Sequence, residues 1–487
     1  MDSAPVYSRE KWDGIMSELE NTASTVVQQV NTIGPCFEEE AVKKFRASLR
    51  GELILPGDPD FDTARRVVNG AIDKTPALIV RCAGVADVMS SVKFARMNEL
   101  TVAVRGGGHN VAGNAVCDDG MVIDLSCMRS IRVDPERRTA DAEAGARWRD
   151  FDHETQAHGL ATPGGMVSST GIAGLTLGGG IGWLLGKHGL TCDNLLSADV
   201  VTADGRFLRA STNCNEDLLW GLRGGGGNFG IVTSFEYRLH SLGPVLGGTV
   251  IYPLDKAQEV LSFYKSFTSV APDELTANAT LYTRPDGVPV VSIDFCYAGS
   301  LEKGEKVVEP LKKFGSPLED LSRPMPYCQL QTMFDNPFRV GLQSYWKATF
   351  ISDLSADALN AVIAHFSHVP SGQTILFIQH YHGEMRQIGK DDAAFSHRDA
   401  EYGLLIASYW RQEAEADSNI EWTRNFFAAM QPFSRSTVYV NFLSNEGENR
   451  VKAAYDSEKY ARLVALKNKY DPTNFFHLNQ NIRPELP

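Results

Sequence analysis

The sequence predicts an α+β protein of two domains, on three observations. Glycines gather at 105–113, 159–189 and 221–230, among short elements that fill roughly 50–243. From about 246 these clusters stop, and longer strands and helices replace them. The last 35 residues hold a charged helix and then an apolar, amide-rich tail. A tail of that composition is expected to pack back on the body.

Each element follows from its pattern. Val85, Val88, Met89, Val92 and Ala95 keep helical spacing, and Leu100 to Val104 reads as a short strand running into Arg105. Strands are expected at 121–125, 139–144 and 198–209, the last turning at Asp204-Gly205. Ile231, Thr233, Phe235, Tyr237 and Leu239 alternate with Val232, Ser234, Glu236 and Arg238, the period of a strand with one buried face. In the second domain, Pro285-Asp286-Gly287 marks a hairpin between Leu275–Thr283 and Val288–Tyr297. Helical patterns at 254–268 and 419–431, with strands at 374–382 and 436–443, predict an antiparallel sheet backed by helices. The closing helix, Ser457 to Lys469, is stopped by Tyr470-Asp471-Pro472-Thr473-Asn474, and Glu38-Glu39-Glu40 reads as a helix start.

Composition narrows the function. Among 487 residues, 47 Lys and Arg stand against 60 Asp and Glu, a formal charge of −13 that would repel nucleic acid and anionic membrane surfaces. No stretch approaches the roughly 18–20 apolar residues of a membrane span, and Met1-Asp2-Ser3-Ala4-Pro5 lacks the order of a secretion signal. A soluble, cytoplasmic protein is expected. The eight cysteines, Cys36 among them, include no C-x-x-C pair, and most of them read as buried thiols. No metal site is expected, since His153 and His158 are five apart and neither His188 nor Asp391-Asp392 completes a ligand set.

The chemistry lies in the glycine segments. Arg105-Gly106-Gly107-Gly108-His109-Asn110 follows a strand, and its bare backbone N–H groups could approach a diphosphate or could simply make a tight turn. Thr162-Pro163-Gly164-Gly165 and Ser168 to Trp183 alternate hydroxyls with uncovered amides, which suits an extended dinucleotide held by neutral donors. Gly224 to Gly230 contains a formal G-x-G-x-x-G. A helix precedes it and a strand follows, the reverse of a Rossmann site.

Taken together with the closing Tyr470-Asp471-Pro472-Thr473-Asn474-Phe475-Phe476-x-x-Asn479-Gln480-Asn481, these segments resemble the berberine-bridge-enzyme-like FAD-linked oxidases of the vanillyl-alcohol-oxidase superfamily, nearest the branch that includes 6-hydroxy-D-nicotine oxidase. The resemblance implies a two-domain PCMH-type FAD-binding fold. Its FAD domain would comprise 1–245, with an N-terminal helical extension, and 436–487, around a substrate domain at 246–435. It implies an FAD-dependent oxidase of secondary metabolism that moves a hydride from a small metabolite to flavin N5, with reoxidation by O2 to hydrogen peroxide. A dehydrogenase or oxidative cyclase, and a flavin-binding protein without turnover, are the alternatives.

By the same resemblance His109 is the covalent attachment site of the flavin, and a neutral imidazole is a competent nucleophile for that bond. The usual second link is a cysteine at the position of Val167, so a single link is expected. Thr170 occupies the oxygen-gate position, where a compact residue favours an oxidase. Cofactor contacts are expected from Arg105, Gly106, Gly107, Gly108, His109, Asn110, Gly113, Gly165, Ser168, Thr170 and Gly171. Gly174, Leu175, Gly178, Gly179, Gly180, Gly182, Asn228, Gly230, Ile231, Val232, Asn479 and Asn481 complete that set.

On the substrate side, Tyr439 and Asn441 share one strand face and match the family's Tyr-x-Asn facing the flavin. The plant members' glutamate base corresponds to Gln387, which cannot take a proton. Glu384 is the nearest carboxylate, on the opposite face of the expected strand. Tyr381 has the parity of Gln387. His380 and His382 would face away unless Gly383 permits a bulge, and His382 is the titrating alternative. The expected partners are a small-molecule substrate and O2; nothing in the sequence sets an oligomeric state.

Overall fold

The computed structural model describes residues 37–336 and 340–485. Residues 1–36, which hold Cys36 and the expected N-terminal extension, lie outside the described residues. Glu39–Ser48 is a helix with Glu39 and Glu40 in its first turn, where negative charge complements the helix dipole. From Arg46 onward the chain forms one unit. Among the described residues no helix is long and apolar enough to cross a membrane.

Three sheets position the site. The first has the order Glu52–Ile54, Leu78–Arg81, Met121–Asp124, Val102–Arg105. Leu78–Arg81 and Val102–Arg105 both run parallel to Met121–Asp124, with helix Val85–Met97 as the crossover. Ile79, Ala103 and Val122 bury against Phe61 and Val67. The second sheet, Ile131–Asp134, Thr139–Glu143, Ile231–Arg238, Leu195–Val201, Phe207–Ser211, is antiparallel throughout. Its last two strands form the hairpin expected over 198–209, with Gly205 at φ +76° in the turn.

The third sheet has eight antiparallel strands, centred on Pro289–Tyr297, Leu275–Thr283, Ile375–His380, Tyr402–Trp410 and Gln343–Ile351. The 285–287 hairpin forms with Thr283 opposite Pro289 and Gly287 at φ +86°. Leu376, Ile378, Leu404 and Ile406 turn to one face, where helices Ala257–Thr268, Ala356–Phe366 and Ala416–Met430 cover them. By the period of two, Phe377, Gln379 and Leu405 turn to the other face. There they meet a cavity rather than a helix.

Two elements differ from expectation. The β-branched and aromatic run at 436–443 bonds to the sheet edge only briefly, through Ile351 with Ser434 and Phe350 N–H to the Thr437 carbonyl. Ser436, at φ +59°, turns the chain, and Val440–Phe442 closes a 3₁₀ turn. Tertiary bonds override strand propensity here. The strand expected over 374–382 ends at His380, and Gly383 at φ +61° leads into a helical turn, Glu384–Gln387. A Cβ on residue 383 would run into the Gly186 carbonyl, so only glycine fits this close approach.

Candidate active site

A cavity of about 310 Å³ separates the glycine loops from the open face of the large sheet. One wall is mostly main chain. Gly106, Gly107, Gly108, His109 and Asn110 line it after strand Val102–Arg105, and Thr170, Gly171, Gly174 and Leu175 line it at the start of helix Ile172–Gly178. Gly230, Ile231 and Val232 extend it at the head of their strand, and Asn479 closes it from the tail. The opposite wall is side chain: Met166, Phe334, Trp346, Phe377, Gln379, Leu405 and Phe442, with Tyr439 and Asn441 at the seam.

The glycines of the first wall do two different jobs. Gly107 and Gly171 face each other so closely that a Cβ on either would strike the other's backbone nitrogen, so both are glycine because two chains cross. Gly174 and Gly227, by contrast, have no atom within 4 Å of where a Cβ would stand, and both look into the cavity. Asn479 donates Nδ2 to the carbonyls of Gly227 (3.2 Å) and Phe476 (3.0 Å), while its Oδ1 is buried without a partner. Open space over glycine and an orphan amide oxygen are the marks of a wall shaped for a ligand.

His109 stands at the junction of the walls with Nε2 3.1 Å from Ser169 Oγ. Burial first, and then the Arg147 guanidinium, push its pKa down to about 4, so the ring is neutral and nucleophilic at physiological pH. Tyr439 Oη accepts from Gly180 N–H at 2.8 Å and from Asn441 Nδ2 at 2.7 Å. Burial raises its pKa well above the ordinary phenol, and those two bonds oppose the rise only in part. Asn441 also donates to the Leu175 carbonyl at 3.1 Å, which ties the seam to the main-chain wall.

Other expected site residues do not reach the cavity wall. Arg105 is buried in an ion pair with Asp124, Nη2 to Oδ2 2.7 Å, and holds the strand rather than a ligand. Gly113, at φ +74°, passes the Ile72 side chain, and Gly165 passes Leu175 Cδ1. Ser168 gives both N–H (2.8 Å) and Oγ (2.6 Å) to Asp335. Gly178, Gly179, Gly180 and Gly182 lie against Asn441, Phe395, Thr191 and the Gly164 carbonyl, respectively, so this run is glycine for packing. Asn228 clasps the tail through Nδ2 to the Gln480 carbonyl and Oδ1 to Ile482 N–H. Asn481 keeps a buried Oδ1 outside the wall.

The substrate-side expectations change most. Gln387, which the resemblance matched to the plant members' base, is exposed in the helical turn after Gly383. His382 stacks on His380 (4.6 Å) against Gly186, off the cavity, with burial lowering its pKa. Gln379 is the amide that faces the cavity, and sequence reasoning missed it. Its signal was present, since Gln379 and Tyr381 share parity along one strand, and the Tyr381 hydroxyl donates to Gln379 Oε1 at 2.9 Å.

Two family matches bracket this geometry: an FAD binding domain over residues 76–211, and a berberine and berberine-like segment over 438–483. An FAD-linked oxidoreductase of Dictyostelium discoideum is 33% identical over 454 residues, covering 92% of this chain and 98% of its own. The (R)-6-hydroxynicotine oxidase of Paenarthrobacter nicotinovorans is 31% identical over 453 residues, covering 90% and 98%. In three dimensions the crystal structure of 6-hydroxy-D-nicotine oxidase from Arthrobacter nicotinovorans superposes with a TM-score of 0.84 at 30% identity, over 90% of this chain and 99% of that one. Both matched segments contribute to one cavity, and the likeness runs nearly the full length of each relative. The chain therefore belongs to the berberine-bridge-enzyme-like FAD-linked oxidoreductases and carries their PCMH-type FAD-binding fold.

Proposed function

We propose that the chain is an oxidase whose FAD occupies this cavity and is bonded to the protein once, through His109. The observation that carries the reading is the meeting of a neutral His109, an open glycine wall and the Tyr439–Asn441 pair on one cavity. In this reading 1–245 and 436–487 hold the cofactor and 246–435 supplies the substrate side. The holding residues are Gly106 to Asn110, Thr170 to Leu175, Gly230 to Val232 and Asn479, with neutral main-chain donors in place of basic side chains. Val167 lines the cavity at the position of the usual second link, which supports a single bond. Thr170, compact and on the same wall, supports access for O2.

When bound, the FAD supplies the hydride acceptor for a substrate C–H and returns the electron pair to O2, giving hydrogen peroxide. The chain's own part is positioning and proton control. Tyr439 has its oxygen lone pairs engaged by Gly180 and Asn441, so its remaining polar act is to donate its proton toward the substrate. Burial keeps it a phenol, and at neutral pH it orients substrate rather than standing ready as a base. The aromatic wall excludes water from the reacting region.

The test is the absorption spectrum of the purified protein before and after acid precipitation. A flavin band that stays with the pellet, and leaves it in His109→Ala, is the expected result, together with one peroxide per substrate oxidised. Flavin in the supernatant would remove the covalent bond, and turnover without peroxide would replace the oxidase by a dehydrogenase or cyclase.

A further inference from the structure

The side-chain wall specifies more than a site for a small metabolite. Phe334 stacks on Trp183 at 5.6 Å and meets Phe377 edge-on at 5.2 Å. Across the cavity Tyr439 meets Phe442 edge-on at 4.8 Å, and Phe442 meets Trp346 at 6.2 Å. Two aromatic runs thus bound a slot, and Met166 and Leu405 are among the other described residues that line it. Among the described residues that line it, none is Asp, Glu, Lys or Arg. Asp335, next in sequence to Phe334, has both carboxylate oxygens engaged by Ser168. An ion entering the slot would lose its hydration without gaining a counter-charge.

Besides Tyr439 and Asn441 at the seam, the amide of Gln379 breaks this apolar surface. Gln379 is 3% exposed, and its amide is oriented by the Tyr381 hydroxyl, which donates to Oε1. That leaves Nε2 toward Met166, whose thioether sulfur at 3.5 Å is a weak acceptor. Asn278, directly opposite Gln379 on the neighbouring strand, sends its own Nδ2 to the same sulfur at 3.8 Å. Two amide donors share one poor acceptor at the cavity wall. A buried donor so weakly matched is satisfied best by a ligand.

We infer that the substrate is an uncharged aromatic or heteroaromatic molecule carrying a hydrogen-bond acceptor, and that Gln379 Nε2–H reads that acceptor. The aromatic slot takes the ring, the uncharged set of described lining residues disfavours carboxylates and ammonium ions, and the amide fixes which way round the ring enters. Gln379 is a specificity-determining residue. The inference rests on the proposed function only for the identity of the slot as the substrate side.

The experiment titrates the enzyme as purified with acetophenone, ethylbenzene, benzoate and benzylammonium, four single-ring probes of matched size. Occupancy is read from the perturbation of the flavin absorption and, separately, from the rise in Tm. Acetophenone should bind about tenfold more tightly than ethylbenzene, the ratio expected of one hydrogen bond to a buried donor. Both ions should bind at least about tenfold more weakly than acetophenone. In Gln379→Leu and Gln379→Met the acetophenone advantage should vanish while ethylbenzene still binds, which shows that the slot is intact. Benzoate or benzylammonium binding as well as acetophenone, or an unchanged acetophenone preference in Gln379→Leu, would overturn the inference. A protein with no flavin band would defeat the cofactor reading, yet the Tm titration would still decide this one.

Discussion

The two walls of the cavity are built on opposite plans. One is main chain, drawn from three glycine segments and a tail; the other is side chain, drawn from strands of the large sheet, from Phe334, from Met166 and from the 3₁₀ turn at Phe442. A main-chain wall offers the same N–H and C=O groups whatever the sequence, so it suits a ligand that never changes. A side-chain wall can be rewritten residue by residue, so it suits the ligand that distinguishes one family member from another.

The most damaging break should come from outside the cavity, at the clasp that holds the tail to the main-chain wall. Lys467 is fully buried and donates Nζ to Asp471 Oδ2, the Phe476 carbonyl and the Asn228 carbonyl, all at 2.8–2.9 Å. Lys467→Met leaves Asp471 buried without its partner and should cost about 3–5 kcal/mol in urea unfolding. Flavin content should fall with it, because Asn479 follows three residues after Phe476.

Acid should weaken the fold, because two stacked histidine pairs are held neutral by burial. Burial lowers the pKa of His188 to about 3 and His240 to about 4, and that of His380 to about 3. Their rings lie stacked, His188 on His240 and His380 on His382. These histidines are neutral when folded, whereas the unfolded chain protonates them below about pH 6.5. Stability is therefore full above pH 6.5 and falls as pH drops toward 4, by at most about 1.4 kcal/mol per pH unit for each group. Thermal unfolding at pH 7.5, 6 and 5 measures the slope, and a flat Tm over that range would contradict it.

The comparison sharpens within the main-chain wall itself. Gly171→Ala drives a methyl into the Gly107 backbone and should cost about 2–3 kcal/mol. Gly174→Ala fills open space within a helix, so stability should rise by about 0.5–1 kcal/mol while flavin content falls. If both variants lose stability and keep flavin, the distinction between crossing glycines and ligand-facing glycines is wrong. A comparably small effect belongs to the side-chain wall. Tyr381→Phe removes the bond that orients Gln379 and should cost about 1 kcal/mol, read by unfolding, with a weaker preference for acetophenone over ethylbenzene.

The same contrast explains what could be read from the sequence. Each segment of the main-chain wall is short and continuous, so Gly106 to Asn110 and the residues from Thr170 to Leu175 announce themselves as glycine runs, and His109 comes with them. Yet a glycine run does not say which glycines face a ligand. Gly178, Gly179, Gly180 and Gly182 matched the pattern equally well and make room for packed neighbours instead. Tyr439 and Asn441 were recognised, though on a strand that is in fact a 3₁₀ turn. The match of Gln387 to the family's base lies beyond the positive-φ Gly383, where the strand has ended and the parity that linked it to Tyr381 no longer holds, whereas counting back from Tyr381 reaches Gln379 without crossing Gly383. Phe334, Trp346 and Phe442 carry no local signal, since only the assembled sheet brings them together.

The clasp at Lys467 also sets a timetable. About 370 residues separate His109 from the tail that closes its cavity. At roughly 5–20 residues per second, the glycine loop would wait tens of seconds on the ribosome before Phe476 and Asn479 exist. Until then the main-chain wall is open on one side, and a dinucleotide would have nothing to seal it. With FAD in this cavity as proposed, its loading would come after synthesis of the tail.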